Sequence, residues 1–166
     1  MIATAHVTAG MIASIAALSV RGNGLRVATA LVLGVVSHFA LDIIPHSDYR
    51  SLSRWAILCV ITLELLGTFA LGWYLLRPRR IPGLRVTLPA GLAGAMFPDI
   101  KFASYFLPEP AATRVAELGV RFHEGRHAAP SPLAVGLSAE IACTLLLIAA
   151  LWLIARRFPL ERSLEG

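Results

Sequence analysis

Five stretches of this chain, at about residues 3–20, 25–44, 55–76, 84–107 and 132–155, are apolar over roughly 20 residues each and nearly free of charge. A hydrocarbon layer roughly 30 Å thick is crossed by about 20 helical residues, and inside it every backbone polar group must be satisfied within the segment, which makes each stretch a helix. The connections carry turn chemistry: Arg21-Gly-Asn-Gly24, the stretch 45–54, Arg77-Pro-Arg-Arg-Ile-Pro-Gly83 and a longer polar piece at 108–131. Hydrophobic residues make up 57% of the chain and charged residues 15%, with a mean hydropathy of +0.71, which excludes the soluble class. The expectation is an all-α polytopic membrane protein, a single integral membrane domain over 1–166 built as a bundle of about five transmembrane helices. The first span lacks the basic opening of a secretory signal and reads as a retained helix.

The net charge of +5 comes from arginines that flank the apolar runs. It reads as topology and not as nucleic-acid binding. With the N-terminus outside, the inner segments hold Arg21, Arg26, Arg77, Arg79, Arg80, Arg85, Arg156, Arg157 and Arg162, against Arg50, Arg54, Arg114, Arg121 and Arg126 outside. The positive-inside rule then puts the C-terminus in the cytoplasm of a bacterium, with the protein in its inner membrane. Between 110 and 127, Val115, Leu118 and Phe122 recur at helical spacing among charged residues, the pattern of an amphipathic interfacial helix. Pro89 and Pro98 make the fourth span the least regular. Cys59 and Cys143, each inside an apolar run, read as small buried hydrophobes. Small residues at Ala5, Ala9, Ala13 and Ala17, and at Gly91 with Ala95, predict close helix packing.

In this topology all five histidines and three aspartates fall at one side of the membrane. His38 and Asp42, four apart, share a helix face and can reach one ion, or can form a hydrogen-bonded pair without one. Pro45 ends that helix, so His46 and Asp48 can fold back over the same opening. His6 is a further ligand candidate or an interfacial cap. Asp99, after Pro98, is a ligand or an N-cap, and Lys101 pairs with it, binds an anionic substrate or snorkels. His123 and His127 offer a second i, i+4 pair. Glu64 and Glu140 lie within spans three and five, each about ten residues or roughly 15 Å from the outer end, as a proton relay or as neutral interhelical hydrogen bonds. Eight imidazole and carboxylate candidates exceed the three or four ligands of one hydrolytic ion, so either two ions bind or some of these residues orient others. Mixed nitrogen and oxygen donors suit zinc first, with manganese or iron as alternatives.

The Ala5-His6 start with Gly10 one turn on, the Gly34-x-x-Ser37-His38-x-x-x-Asp42 run and the Pro98-Asp99 pair resemble the bacterial membrane-bound metal-dependent hydrolase family, the group that includes the LexA-regulon inner-membrane protein. The resemblance implies multiple spans, metal-supported hydrolysis of lipid-linked or phosphoester substrates, and His6, His38, Asp42 and Asp99 as site residues. The family's Pro-Asp-x-Asp is here Pro98-Asp99-Ile100-Lys101, and it follows the Ser-His run instead of preceding it. The Arg-Gly-x-Thr-His-Ser element has no clear counterpart, which marks a small divergent relative. On this reading the metal would be held by His6, His38, Asp42, His46, Asp99, His123 and His127. Asp48, Glu64 and Glu140 would move protons, and Lys101 or Arg126 would bind an anionic head group. Membrane lipid is the expected partner, with no nucleic acid. The rival functions are a metal or small-solute transporter, with Glu64 and Glu140 continuing a path through the bilayer, and a non-catalytic scaffold.

Overall fold

The computed structural model describes residues 3–44, 53–76, 81–123 and 132–158. All described elements are helical: α1 Ala3–Ala16, α2 Asn23–Asp42, α3 Arg54–Leu76, α4 Leu84–Met96, α5 Ala111–His123 and α6 Leu133–Ala155. Two 3-10 segments join them, Ala17–Ser19 after α1 and Phe97–Phe106 after α4. The expected all-α class is what forms. The α2 and α6 segments Asn23–Asp42 and Val135–Ala155 are long and apolar enough to cross a membrane.

The boundaries follow local chemistry. Gly22 and Gly83 precede α2 and α4 with φ of 88° and 82°, a left-handed region that costs a residue with a Cβ about 1–2 kcal/mol. Ser53 caps α3, its hydroxyl accepting the Ala56 N–H at 3.2 Å. The fourth apolar stretch divides at Phe97. Pro89 is accommodated inside α4, whereas Pro98 stands at the start of the 3-10 segment. The expected interfacial helix is α5, which packs on that segment and ends at His123.

The first helix is the centre of the bundle. It meets α2, α3, α4 and α6, and Ala5, Val7, Ala9, Met11, Ala13, Ile15 and Ala17 are all buried. Its polar residues are satisfied locally where they can be: the Thr8 and Ser14 hydroxyls donate to the carbonyls of Thr4 and Gly10, each at 2.7 Å. A helix enclosed on every side cannot be amphipathic, and this one has apolar or small residues all round. Its two faces differ in what they touch. Ala5 and Ala9 pack with Leu41 of α2 and with Cys143 and Leu147 of α6, while Val7, Met11 and Ile15 join Leu76, Leu84 and Leu151.

Where α1, α2 and α4 meet, backbone touches backbone. A Cβ on Gly34 would lie 2.5 Å from the Gly91 carbonyl oxygen and 2.8 Å from the Ala95 nitrogen, and one on Gly10 would lie 2.8 Å from that same carbonyl. A Cβ on Gly94 would strike the Leu31 carbonyl. The obstructing atoms are main chain, so the helices themselves would have to separate. Gly34→Ala is therefore expected to destabilise the protein by about 1–3 kcal/mol, the usual cost of overpacking. Gly67→Ala, in α3 with nothing within 4 Å of its Cβ, should be neutral or stabilising by up to about 1 kcal/mol through helix propensity. Denaturation midpoints of the two variants check the contrast.

Candidate metal centre

His6 sits in the first turns of the central helix, and His38 and Asp42 occupy the last two turns of α2. The short link 17–22 folds α2 back along α1, which brings the end of one helix beside the start of the other. The three side chains are then 1%, 0% and 2% exposed, and one donor atom from each lies within 4.8 Å of the other two. The imidazoles are stacked, with centroids 4.1 Å apart and planes inclined by 24°. Asp42 divides its carboxylate between them: Oδ2 is 3.0 Å from His38 Nε2 and Oδ1 is 3.6 Å from His6 Nε2. Donors on one tetrahedral zinc stand about 3.3–3.5 Å apart, given bond lengths of about 2.0–2.2 Å. The two His–Asp42 separations, each to a different carboxylate oxygen, lie on either side of that value.

The proton inventory points the same way. His38 Nδ1 is 2.7 Å from the carbonyl oxygen of Ala95. A carbonyl only accepts, so Nδ1 carries a hydrogen, and in a neutral ring Nε2 is then a lone pair. That lone pair faces a carboxylate oxygen at 3.0 Å, acceptor against acceptor. A positive charge must stand between them, supplied by a second proton or by a metal ion. His6 is more demanding still, because neither of its ring nitrogens has a hydrogen-bond partner among the described residues. A buried polar group left so costs about 1–3 kcal/mol. A cation ligated by His6, His38 and Asp42 would answer both needs.

Of the other expected ligands, Asp99 lies in the first turn of the 3-10 segment, half-buried and near enough to act electrostatically on His6. His46, Asp48 and His127, with Arg126, fall outside the described residues. Lys101 belongs to the 3-10 segment and His123 closes α5, and their side chains also fall outside the description. A groove of about 520 Å³ between α5 and the 3-10 segment is lined by Ser104, Leu107, Ala112 and Val120 among others and includes none of the triad.

The packing of α3 and α6 on α1 sets the level of Glu64 and Glu140 relative to the triad. Met11 packs against Gly72 and Ile15 lies in one cluster with Leu76, so α3 runs alongside α1 in the same direction. Glu64, eight residues before Gly72, is then level with the first turn of α1. Cys143 and Leu147 contact the Ala5–Ala9 face, which puts the fully buried Glu140 no deeper than that same turn. Both carboxyls are level with the triad or nearer the N-terminal end of α1. Further along α1 come the Gly10–Gly91 contact and the Ser14 hydroxyl that fills the space over Gly91.

The Ala95 carbonyl is the site component that sequence reading missed. No protein-family model, no curated protein and no solved structure matches the chain.

His6 also offers a direct check. In metal-stripped protein, His6→Leu removes a buried group that lacks partners, so stability should rise by about 1 kcal/mol or more. The same substitution should abolish any further stabilisation by added zinc. Melting curves with chelator and with zinc measure both effects.

Proposed function

We propose that the protein is a five-span membrane hydrolase whose His6, His38 and Asp42 hold one divalent metal ion, zinc first. The observation that carries the reading is the buried triad itself, with His38 Nε2 and Asp42 Oδ2 3.0 Å apart and, in His6, an imidazole with no hydrogen-bond partner among the described residues. Three protein ligands are the complement of a catalytic zinc, where structural sites use four.

The surface supports the membrane setting. Exposed apolar side chains run the length of three helices: Leu31, Val32 and Val36 on α2, Leu63, Leu66 and Phe69 on α3, and Ile141, Leu145 and Leu146 on α6. Water-soluble proteins rarely present so much contiguous apolar surface. Arginine is unevenly placed along the bundle: Arg21, Arg26, Arg85, Arg156 and Arg157 lie at the end where α1 finishes and α2 and α4 begin, against Arg54 at the start of α3 and Arg114 and Arg121 on α5, while Asp42 and Asp99 lie at the end where α1 starts. That bias favours an inner, arginine-richer face and an outer one that would hold the metal. α1 and α4 are short as helices. α1 is enclosed by its neighbours, and α4 is prolonged by the 3-10 segment, so neither needs the length of a lipid-facing span.

A divalent ion at this position would supply Lewis-acid polarisation of the scissile group and acidification of water near neutral pH. The chain's own part is to orient and exclude. His38 is held by Ala95, and Asp42 spans the two imidazoles. Asp99, whose charge reaches His6, can share the proton role expected of Asp48. Lys101 or Arg126 would hold an anionic head group, in keeping with lipid-linked or phosphoester substrates and with the family likeness of the Gly34–Asp42 run.

The transport alternative, in which Glu64 and Glu140 continue a path through the bilayer, is the less favoured reading. Glu64 and Glu140 do not continue inward from the triad, and close glycine contacts between α1, α2 and α4 occupy the space beyond it. Metal analysis of detergent-purified protein tests the proposal: about one ion per chain is expected in the wild type, and less than a tenth of that in His38→Ala and Asp42→Ala. Hydrolysis of a chromogenic phosphoester should follow metal content and survive Glu64→Gln with Glu140→Gln. A folded wild type that binds no zinc, manganese or iron sinks the reading. Metal uptake into proteoliposomes that depends on the two glutamates would establish the transporter instead.

A further inference from the structure

We infer that the end of the bundle where α1 finishes is a binding surface for anionic phospholipid, in which Arg26 and Arg85 hold a lipid phosphate and Arg21, Arg156 and Arg157 add to the attracting charge. The inference rests on the membrane setting proposed above and is independent of the metal centre.

One apolar cluster, which includes Leu18, Ile81, Leu84, Ala155 and Phe158, gathers the link after α1, the start of α4 and the finish of α6. The arginines border it in sequence. Arg21 and Arg26 follow Leu18, Arg85 follows Leu84, and Arg156 with Arg157 stands between Ala155 and Phe158. Neither α2 nor α4 carries an acidic residue in its first turn, and none of the five arginines has an ion-pair partner among the described residues. The described carboxylates, Asp42, Glu64, Asp99, Glu109, Glu117 and Glu140, belong to the other end, where they accompany Arg54, Arg114 and Arg121. Like charges gathered without a counter-charge repel one another, and an anion from outside relieves the repulsion.

Arg26 is arranged to receive that anion. Its Nε donates to the Val20 carbonyl at 2.7 Å, and its Nη1 lies across the start of α4, 3.3 Å from where a Cβ on Gly83 would stand. The bond fixes the half-buried side chain while leaving the hydrogens of both terminal nitrogens for a ligand. A guanidinium so held can take two phosphate oxygens at once. Arg85, two residues beyond Gly83, is exposed. Arg156 lies over the Trp152 ring, 4.4 Å from its centroid, a pairing suited to the edge of a bilayer. The neighbours of these cations select a lipid over other polyanions. Leu25, Val86, Trp152 and Leu153 are exposed, each within four residues of one of the arginines. Acyl chains beside a phosphate would cover them, whereas a nucleic acid or an acidic protein surface offers no such cover.

The whole chain, purified in a neutral detergent, is titrated with dioleoylphosphatidylglycerol, dioleoylphosphatidylcholine or inorganic phosphate. The rise in melting temperature is followed, and retained lipid is counted by native mass spectrometry. Phosphatidylglycerol is expected to stabilise the wild type and stay bound, less so at high salt; the other two are expected to do neither. Arg26→Gln and Arg85→Gln should each weaken phosphatidylglycerol binding roughly fivefold, and Arg114→Gln, on α5, should leave it unchanged. Only the lipid-dependent change is compared, so loss of the Val20 bond in Arg26→Gln does not imitate the result. Arg85, which makes no hydrogen bond or ion pair among the described residues, carries the test should Arg26→Gln not fold. Equal binding of the two lipids, or undiminished phosphatidylglycerol binding in the arginine variants, overturns the inference. So does displacement of the lipid by equimolar inorganic phosphate or by a single-stranded oligonucleotide. A chain that stays folded without detergent defeats the membrane setting itself; one that needs detergent and does not distinguish the lipids defeats the lipid surface alone.

Discussion

The arrangement depends on α2 and α4 touching through their main chains. Glycine at 34, 91 and 94 removes the Cβ atoms that would hold these helices apart. The gain is more than packing, because the contact sets the position of the next turn in each helix, where His38 and Ala95 lie. In lipid, the setting proposed for this bundle, apolar side chains gain little by leaving their surroundings for one another, so close van der Waals approach and interhelical hydrogen bonds would be the main sources of association. The Gly34–Gly91 contact and the His38–Ala95 bond supply one of each within a single helical turn.

The central helix adds the third component. Enclosed by four others, α1 has no face on which a polar side chain is free of consequence. Thr8 and Ser14 turn back on their own backbone, an option open to a short hydroxyl side chain. An imidazole is too long for that and must find partners across the bundle. His6 reaches the one place where α2 presents a carboxylate, and the 3.6 Å separation is a contact awaiting completion. An ion there would tie the start of α1 to the end of α2 and stabilise the folded form in proportion to its concentration over its dissociation constant.

Much of this was legible in the sequence because it is local. Helix limits follow glycine, proline and hydropathy, and the i, i+4 relation of His38 and Asp42 is a property of any helix. The partnership of His6 is tertiary and could be suspected only from its company. The enclosure of α1 was hinted at by its small residues, although a lipid-facing helix can read the same way. The level of Glu64 and Glu140 relative to the triad was not legible, for a physical reason. Counting residues from a helix start assumes that all helices begin at one level, whereas α3 and α6 start well before α1 when compared along the bundle. The Ala95 carbonyl that meets His38 is a main-chain acceptor, and such a group has no side-chain signal in the sequence.

The unequal condition of the two histidines favours the proposed metal centre over a packing device. A polar residue kept only to fix helix register is best served by full hydrogen bonding, since each buried group without a partner costs about 1–3 kcal/mol. His38 could meet that standard as an imidazolium between Ala95 and Asp42. His6 does not meet it in either tautomer among the described residues, and leucine or alanine would pack beside Gly10 without the cost. Stacking on His38 offers little return, because two parallel imidazoles gain less than a hydrogen bond to either ring. What the position does provide is a second nitrogen within reach of the Asp42 carboxylate and close to the first. That is of use to a cation and of little use to a helix interface.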